Sequence, residues 1–535
     1  MRNRRGHAAL VGVVTGLLAF GLYLSTLAPT VLYYELPELR DSSMLQVRAA
    51  VLGIADYTGY PTYTLLGKLF TYLPFGDVAY RINLASAVHA ALAVGFVYAI
   101  GVRLTGRILP SAAGAAAFAV SPLLWSQAVV AEVYALNATF VAAVVFVLLL
   151  WRDSRRDRYL LLACFLMGLS LTHHITSGLL LPAAFLFVGL VERRKLVEWG
   201  LMAKGAALFL VGLLPYLYIP IRASMDYLPE GFVWGQPLVR EYPPDTLYGF
   251  YNLVSGGLWK ERMWVFGPAE LPDRLAMYLE RLYGDVGQFH VALVLVGIAG
   301  GFYLAYRDRA AAVMFGFLYF GWLFHALEYD IEDIEYYFIP TFLILCVFMS
   351  VGFSGVLDAV EWTMRRAPVF AKVGVGTVLG TLFLVSPLTL TDVRQSYAQN
   401  DMSEDYHGRE IMAAVAEEAK PGATILHHRS PLDYMILVEG RREDLKLVPY
   451  LEDPHPYGVG RGALLLDEGP VYILFPGRAD TRYYLGVEGG QNLYQRAGYD
   501  LVAAEEDVLL YEVVRPEEVE DRERRGVDPG EAVNT

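Results

Sequence analysis

Residues 131–174 decide the fold, and they read AEVYALNATFVAAVVFVLLLW, then RDSRRDR, then YLLLACFLMGLSLTHH. The first run is long enough to cross a membrane, and the last run is marginal, which favours tilt or partial burial. Glu132 lies at the start of the first run, and His173 and His174 end the last one. A hairpin of two spans therefore predicts these titratable side chains at one end of a helical bundle and the arginines at the other.

The alternation of apolar runs and basic turns continues along the chain, in which 55% of residues are hydrophobic. That composition excludes an ordinary soluble enzyme and predicts a mainly α, polytopic membrane helical bundle. About eleven spans are expected from hydropathy. Their predicted bounds are 8–27, 82–102, 109–125, 131–151, 159–173, 175–191, 201–221, 288–306, 310–327, 337–357 and 371–390.

Arginine and lysine in the short turns predict the orientation. The basic residues 1–5 favour a cytoplasmic N-terminus, and we interpret 8–27 as a retained first helix because the sequence after it is a poor signal-peptide cleavage site. An odd number of crossings then puts the C-terminal region outside. The chain is expected to be a multi-pass protein of the cell membrane.

Three regions follow from this pattern. Residues 1–390 form the transmembrane domain, 391–515 a small external α/β domain, and 516–535 a charged tail predicted to be disordered. In the α/β domain we predict a helix over 410–419 and short strands at 424–426, 445–448, 471–475 and 508–514.

Two long external loops interrupt the spans. Residues 30–81 are predicted to form helices in the membrane interface, and 222–287 a folded cap of short helices and turns. The net charge of −13 argues against a nucleic-acid partner. Cys164 and Cys346 both lie in apolar runs, so the cysteines indicate neither a disulfide framework nor a metal cluster.

The first external loop contains the densest group of polar residues. Asp41 precedes two serines, and further on Gly59 and Pro61 bracket Tyr60 in a predicted turn. A carboxylate here can accept a proton from a hydroxyl nucleophile. The alternative is that Asp41 caps a helix beginning at Ser42, and the residues alone leave both interpretations open.

Other candidates carry similar alternatives. Glu132 is either part of a functional site or a residue at a solvated helix end. His174 either binds a ligand or is a buried imidazole whose hydrogen bonds are made within the protein. Arg222 and Arg81 bind a phosphate through their guanidinium groups or anchor the chain at the interface. The acidic run 330–335 holds a divalent cation or forms a hydrated loop, and its spacing matches no defined metal motif.

Several of these stretches resemble one family. They are Asp41-Ser42-Ser43, 52–55, 59–61, 125–137, 168–174, 218–223 and 234–237. Together they resemble the transmembrane O-mannosyltransferase-like family of the glycosyltransferase C superfamily, most clearly from the first span to about residue 221. The chain departs from the family pattern at Met44, where glutamate is usual, and at 56–58, where His-Pro-Pro is usual.

The resemblance implies an integral-membrane glycosyltransferase acting on the extracytoplasmic face. It would move a sugar, by analogy mannose, from a polyprenyl-phosphate donor to a hydroxyl of a protein Ser/Thr or an envelope glycan, with inversion. Asp41 would be the catalytic base. The substrate-binding residues would be Asp56, Tyr60, Glu132, His173, His174, Arg222 and Arg81.

We expect no cofactor and no dedicated metal ligands, with a divalent cation as the open alternative. The expected partners are the lipid bilayer, the lipid-linked donor and the acceptor. The sequence is also compatible with two other functions. A transporter or flippase would also use intramembrane charges, but the carboxylates gather at one interface. A non-catalytic protein that binds a lipid-linked glycan is suggested by Met44 and Asp56.

Overall fold

The structure is a computed structural model, and it describes residues 2–33, 41–55, 58–225, 243–283, 288–427, 430–449, 465–475, 491, 493–505 and 508–519. Helices make up most of the described residues up to Asn400. In chain order the α-helices there are α1 Arg2–Ser25, α2 Asp41–Val51, α3 Pro61–Phe70, α4 Val78–Thr105, α5 Ile108–Ala119, α6 Pro122–Ala128, α7 Tyr134–Ser154, α8 Asp157–Leu171, α9 Leu180–Glu192, α10 Trp199–Gly212, α11 Tyr218–Ala223, α12 Leu247–Val254, α13 Leu271–Tyr283, α14 Val291–Arg307, α15 Arg309–Leu327, α16 Ile339–Thr363, α17 Val369–Leu390 and α18 Val393–Asn400.

The predicted class is confirmed: the chain is a mainly α, polytopic integral membrane protein. Within the described residues, eight helical stretches are long and apolar enough to cross a membrane, or nine if the bent pair α5 and α6 is one span. Each of the eleven predicted spans overlaps a helix of the structure. Two of those helices, α8 with 15 residues and α14 with 17, belong to none of these membrane-length stretches and are short for a crossing. The count of eleven therefore stays a prediction.

The basic turns meet at one end of the bundle, where ion pairs join different helices. Arg152 at the end of α7 pairs with Asp308. Arg107 before α5 pairs with Asp358 of α16 at 2.6 Å, and Arg307 contacts the same carboxylate at 3.3 Å. Arginine side chains that the sequence places in separate turns thus share partners across the bundle.

Small residues allow some helices to pack very closely. A Cβ added at Gly300 of α14 would lie 1.9 Å from the carbonyl oxygen of Phe348 in α16. A Cβ added at Gly212 of α10 would lie 2.4 Å from the Phe165 carbonyl oxygen of α8. Since contacts below about 3.4 Å are repulsive for carbon, these glycines fix how the two short helices α8 and α14 pack inside the bundle.

The described part of the loop 30–81 is folded, as predicted, but it is more deeply enclosed than an interfacial cover. Eight of the 11 residues of α2 are buried. Gln46 of α2 donates to Asn83 of α4 at 2.7 Å, and Asn83 donates to the carbonyls of Ala28 and Thr30. Buried polar groups of this kind need such partners, so α2 is held against both α4 and the segment that follows α1.

The cap predicted over 222–287 is present in its described part. It contains α12, α13 and a 3-10 helix over Gly257–Arg262. Met263 forms an isolated antiparallel bridge with Tyr329, and the backbone N–H of Trp264 donates to the Glu328 carbonyl at 2.7 Å. The cap is therefore hydrogen-bonded to the loop between α15 and α16.

A small α/β unit follows, as predicted. Its helices are α19 His407–Glu418, α20 Leu432–Leu437 and α21 Leu493–Arg496, and its strands are β1 Thr424–His427, β2 Lys446–Pro449, β3 Val471–Leu474, β4 Asp500–Glu505 and β5 Leu510–Val514. The sheet order is β2-β1-β3-β5-β4, with β1 parallel to β2 and β3, and β5 antiparallel to β3 and β4. The sequence pattern indicated four of these strands and missed β4.

The boundaries predicted for the three regions stay predictions. Residues 391–406 pack on the bundle: the rings of Tyr397 and Trp125 lie 5.8 Å apart, and the N–H of Met402 donates to the Thr26 carbonyl. Residues 516–519 form a helical turn, and the rest of the tail predicted to be disordered lies outside the described residues.

Candidate functional site

The site is built around the N-terminus of α2, where Asp41 is the first helical residue and is half-buried. The adjacent Ser42 is fully buried, and its hydroxyl accepts a hydrogen bond from the backbone N–H of Ala131 at 3.2 Å. Because Ala131 precedes Glu132, this bond brings the first loop next to the turn between α6 and α7. Asp41 and Glu132 are thereby held in neighbouring segments.

Glu132 does not lie at a solvated helix end. It is 4% exposed, and one carboxylate oxygen accepts from the N–H of Val133 at 3.1 Å. Its backbone N–H donates to Ser86 of α4 at 3.2 Å. The 65° bend between α5 and α6, with Pro122 beginning α6, turns the chain so that this acidic loop enters the bundle.

Tyr60 adopts the turn that the flanking residues predict. Gly59 has φ +80° and Tyr60 itself has φ 36°, and Pro61 starts α3 directly afterwards. The positive φ favours glycine at residue 59, and a Cβ there would lie 2.6 Å from the Ile219 side-chain methyl, which would have to shift. A left-handed tyrosine is strained, and the turn directs its ring into the protein, where it is 8% exposed.

The two histidines lie against this ring. The Tyr60 and His174 rings are stacked with centroids 6.2 Å apart, and Tyr60 and His173 lie at the same separation but tilted. His173 Nε2 bonds the Val133 carbonyl at 2.8 Å. His174 Nδ1 is hydrogen-bonded to the hydroxyl of Thr176 at 2.7 Å, and burial lowers its pKa to about 3. His174 is thus a neutral imidazole at neutral pH.

A third carboxylate comes from the loop before α16. The hydroxyl of Tyr134, the first residue of α7, donates to Asp333 at 2.9 Å. The Tyr134 ring also lies 6.1 Å from His174 and 5.8 Å from Tyr337. The acidic run named from the sequence therefore supplies one residue, Asp333, to the cluster of aromatic rings.

The electrostatic environment of Tyr60 agrees with the contacts described above. Burial, and then the nearby charges of Asp41, Asp333 and Glu132 together with Tyr329, raise the pKa of the Tyr60 hydroxyl well above its usual range. A phenol surrounded by carboxylates stays protonated, since ionisation would add another negative charge. We call the residues Asp41, Tyr60, Glu132, His174 and Asp333 the carboxylate cluster.

Two arginines proposed as phosphate ligands are committed to backbone carbonyls. Arg222 donates to the carbonyls of Leu52 and Val51 at 2.6 and 3.0 Å, at the C-terminal end of α2. Arg81 donates to three carbonyls of the turn after α3, at 2.7 to 2.8 Å. These contacts place Arg222 at the end of α2 and Arg81 in the turn over 71–76, and a phosphate-binding role for either side chain stays a prediction.

The remaining predictions concern Asp56 and the acidic run 330–335. Asp56 lies outside the described residues, so its predicted substrate contact stays a prediction. Within the acidic run, Glu335 pairs with Arg281 at 2.7 Å and Glu332 is exposed. In the described part of the chain, no group of three or more His, Cys, Asp or Glu side chains is arranged to hold a metal ion. The divalent-cation alternative therefore gains no support from the geometry.

Sequence reasoning missed several members of this region. Tyr134 stands at a helix start and was not distinguished from an interfacial aromatic, and Tyr329 was not singled out. Arg262 of the cap was also missed: its charge acts on Tyr329, although burial and Asp333 outweigh it and raise that pKa. Arg262 is exposed and lies beside the loop that carries Asp333, since its carbonyl accepts from the N–H of Asp330. Its guanidinium lies over the Trp259 ring, 5.0 Å from the ring centroid.

The α/β unit is docked on the first loop. Arg409 of α19 donates to Thr30 at 2.7 Å, pairs with Asp77 at 2.5 Å and pairs also with Glu439. The hydroxyl of Thr30 donates to the same Asp77 carboxylate, which also caps α4. Apolar side chains of α19, α20 and the sheet form one cluster with residues of the first loop and of α2 and α4.

The helical bundle, with the carboxylate cluster beneath the described part of the first loop, is the fold of a polytopic integral membrane protein, and this fold is similar to that of solved membrane proteins. The fold matches the crystal structure of ArnT from Cupriavidus metallidurans bound to undecaprenyl phosphate, with a TM-score of 0.56 over 94% of this chain and 97% of that chain at 13% identity. The apo structure of ArnT from the same organism gives a TM-score of 0.57 with the same coverage and identity.

Sequence comparisons give more specific relatives. Residues 41–197 match the family described as Protein O-mannosyl-transferase TMEM260 N-terminal domain. The chain is 31% identical to Protein O-mannosyl-transferase TMEM260 of Mus musculus over 40% of this chain and 32% of the relative. It is 25% identical to Protein O-mannosyl-transferase tmem260 of Dictyostelium discoideum over 61% of this chain and 43% of the relative. The chain thus spans less than half the length of these relatives, and the predicted resemblance is confirmed.

Proposed function

We propose that this protein is a glycosyltransferase that moves a sugar, by analogy with its relatives mannose, from a polyprenyl-phosphate donor to a hydroxyl acceptor. The observation that carries the proposal is the set of contacts that joins the segments of Asp41, Glu132 and Asp333: the Ala131–Ser42 hydrogen bond, the Tyr134–Asp333 hydrogen bond, and the ring of His174 against those of Tyr60 and Tyr134. The fold that holds them is similar to that of ArnT, whose crystal structure contains undecaprenyl phosphate. The matched family region begins at Asp41 and includes Glu132 and both histidines.

In the proposed reaction, the Asp41 carboxylate accepts the proton of the acceptor hydroxyl. The hydroxyl oxygen then forms a bond to the anomeric carbon on the face opposite the phosphate. The bond from that carbon to the phosphate oxygen breaks, and the lipid phosphate leaves with the electron pair. The anomeric configuration is inverted because attack and departure take place on opposite faces. The chain's contribution is mainly to position the reactants and remove one proton.

The other members of the cluster have roles consistent with their environment. Aromatic faces of Tyr60, Tyr134 and His174 are suited to contact a sugar ring, and the neutral imidazole and carboxylates are suited to its hydroxyl groups. Arg262 is our candidate for the leaving phosphate, because it is an exposed guanidinium beside the Asp333 loop. The acceptor would be a protein Ser/Thr hydroxyl or an envelope glycan on the extracytoplasmic face.

The decisive experiment uses purified full-length protein with radiolabelled polyprenyl-phosphate mannose and a Ser/Thr-containing acceptor peptide. Asp41→Asn keeps the size and polarity of the side chain and removes its basicity. We expect transfer to fall by at least 10²-fold, as for loss of a general base, while binding of the donor lipid is retained. Asp153→Asn is the matched control, since Asp153 pairs with Arg103 at the opposite end of the bundle.

The control variant is expected to transfer at the wild-type rate. Full activity of Asp41→Asn would remove Asp41 as the base. A wild-type protein that binds the donor but forms no covalent product with any acceptor or donor sugar in a panel would instead support a lipid-linked glycan binding protein. Accumulation of labelled solute in proteoliposomes without a covalent product would indicate a transporter.

A further inference from the structure

A second candidate site lies far from the carboxylate cluster. A cavity of about 140 Å³ opens among the ends of α4, α7 and α14 and the middle of α16. It is separated from the cluster along α7, from Tyr134 to Arg152, by about 27 Å at 1.5 Å per residue. The polar residues that line it are Thr105, Arg152, Tyr303, Arg307, Asp308 and Ser354.

The lining contains two arginines and one aspartate, and the two arginines differ in exposure and in their ion pairs. Arg152 is 16% exposed and is held by Asp308 and, at 2.8 Å, by Asp153. Arg307 is 48% exposed, and its one described ion pair is a 3.3 Å contact with Asp358. A guanidinium has five N–H donors, so Arg307 has the capacity to bind an additional anion while keeping this contact.

Ser354 provides a second, independent observation. It is 1% exposed, and within the described part of the chain its hydroxyl has no hydrogen-bond partner. A helical serine commonly donates to the carbonyl four residues earlier, as Ser350 in the same helix does to Cys346 at 3.2 Å. An unsatisfied buried hydroxyl destabilises the fold, and Ser354 lines the cavity. A ligand that accepts a hydrogen bond there would satisfy it.

The position of the cavity favours a ligand from the membrane. Phe302 and Tyr306 of α14 are 76% and 85% exposed and flank the lining residues Tyr303 and Arg307. Exposed aromatic side chains next to arginine at a helix end are typical of the level of lipid headgroups. The basic turns of the bundle gather at the same end, where a phosphate group would be close to the Arg307 guanidinium.

We propose that this cavity binds a phosphate group, with the Ser354 hydroxyl and the Arg307 guanidinium as donors to its oxygens and Arg152 as a fixed positive charge. Its volume is close to the roughly 150 Å³ that accommodates benzene in an engineered protein cavity, which is enough for a phosphate group. The phosphate is that of a phospholipid headgroup or inorganic phosphate. This site is independent of the proposed transferase activity.

The test uses the full-length protein in detergent and three probes: dioctanoyl phosphatidylglycerol, dioctanoylglycerol and inorganic phosphate. Binding is followed by calorimetric titration, with thermal unfolding of each variant as a check on folding. We expect binding of the phosphatidylglycerol and none of the dioctanoylglycerol, which lacks phosphate. Arg307→Gln should weaken binding about 10- to 100-fold and Ser354→Ala about 3- to 10-fold. Arg309→Gln is the matched control, because this exposed arginine lies two residues away outside the lining.

The outcomes separate the two phosphate sources. Binding of the phosphatidylglycerol alone supports a lipid site, and equal binding of inorganic phosphate supports a site in which phosphate itself is sufficient. The proposal is overturned if neither phosphate probe binds, if dioctanoylglycerol binds as well as the phospholipid, or if Arg307→Gln and Arg309→Gln weaken binding equally. A Ser354→Ala variant that folds and binds with wild-type affinity would remove the hydroxyl from the site.

Discussion

Substitution of Arg409 should loosen the α/β unit from the first loop. The guanidinium donates to Thr30, Asp77 and Glu439. In Arg409→Ala the two carboxylates would face each other without their cation, so repulsion is added to the lost bonds. The first loop should then open more often, and α2 with it, because Thr30 is linked through Asn83 to Gln46.

The size of the effect follows from the burial of the three charged side chains. Arg409, Asp77 and Glu439 are 28%, 26% and 20% exposed. Removing one partner of a fully buried ion pair lowers the free energy of unfolding by about 3–5 kcal/mol. An exposed ion pair contributes about 0.2–1 kcal/mol to that free energy. For this intermediate exposure we expect about 2–4 kcal/mol, which corresponds to roughly 30- to 700-fold more frequent opening.

The assay is hydrogen–deuterium exchange of the full-length protein, with peptides from α2 and α19 compared between variants. Arg409→Ala should accelerate exchange in both helices by that factor. Arg441→Ala is the control, since Arg441 is 48% exposed and only touches Glu439 at 3.3 Å. We expect Arg441→Ala to lower the free energy of opening by less than about 0.5 kcal/mol. In a double-mutant cycle, Arg409→Ala and Asp77→Asn should couple by about 1–2 kcal/mol.

Unchanged protection of α2 in a folded Arg409→Ala variant would refute the reasoning. So would strictly additive effects of the Arg409 and Asp77 substitutions, because the two groups would then be energetically independent.

Two further predictions concern packing and pH. Gly300→Ala should lower the melting temperature, because its Cβ would lie 1.9 Å from the Phe348 carbonyl and force α14 and α16 apart. Gly316→Ala in α15 meets nothing within 4 Å and should raise stability by up to about 1 kcal/mol through helix propensity, and equal effects of the two would contradict the packing argument. Burial lowers the pKa of His174 from 6.5 to about 3, so the unfolded chain binds a proton first as the pH falls. Stability should therefore decrease below pH 6.5, by about 2 kcal/mol at pH 5, and thermal unfolding of His174→Asn at pH 7.5 and 5 should show a smaller difference than wild type.

The membrane bundle could be predicted because hydropathy and the basic turns act over short stretches of sequence. The hairpin 131–174 places Glu132 and His174 at one end because a span reverses direction at RDSRRDR. The turn at Tyr60 was also predictable, since its glycine and proline neighbours restrict the backbone locally. Each of these features is determined by residues of one hairpin or of one turn.

The composition of the cluster was harder to predict because its members come from distant segments. Asp333 meets Tyr134 across 199 positions of the chain, and an acidic run gives no sign of which carboxylate faces inward. The sequence leaves Arg222 and Arg81 open as phosphate ligands or as interfacial anchors, because a guanidinium group suits both uses. The same donors bind carbonyls at helix ends equally well, and only the fold decides between these uses.

The docking contact between Arg409 and the first loop also has a consequence for biosynthesis. Asp77 and Arg409 are 332 positions apart, so at 5–20 residues per second roughly 17 to 66 s separate their appearance from the ribosome. During that interval the growing chain exposes an aspartate and an apolar surface that have no counterpart yet. The docked conformation of the loop that carries Asp41 therefore forms only after nearly the whole polypeptide has been synthesised. Until then we expect this region to be accessible to chaperones and quality-control proteases during membrane insertion.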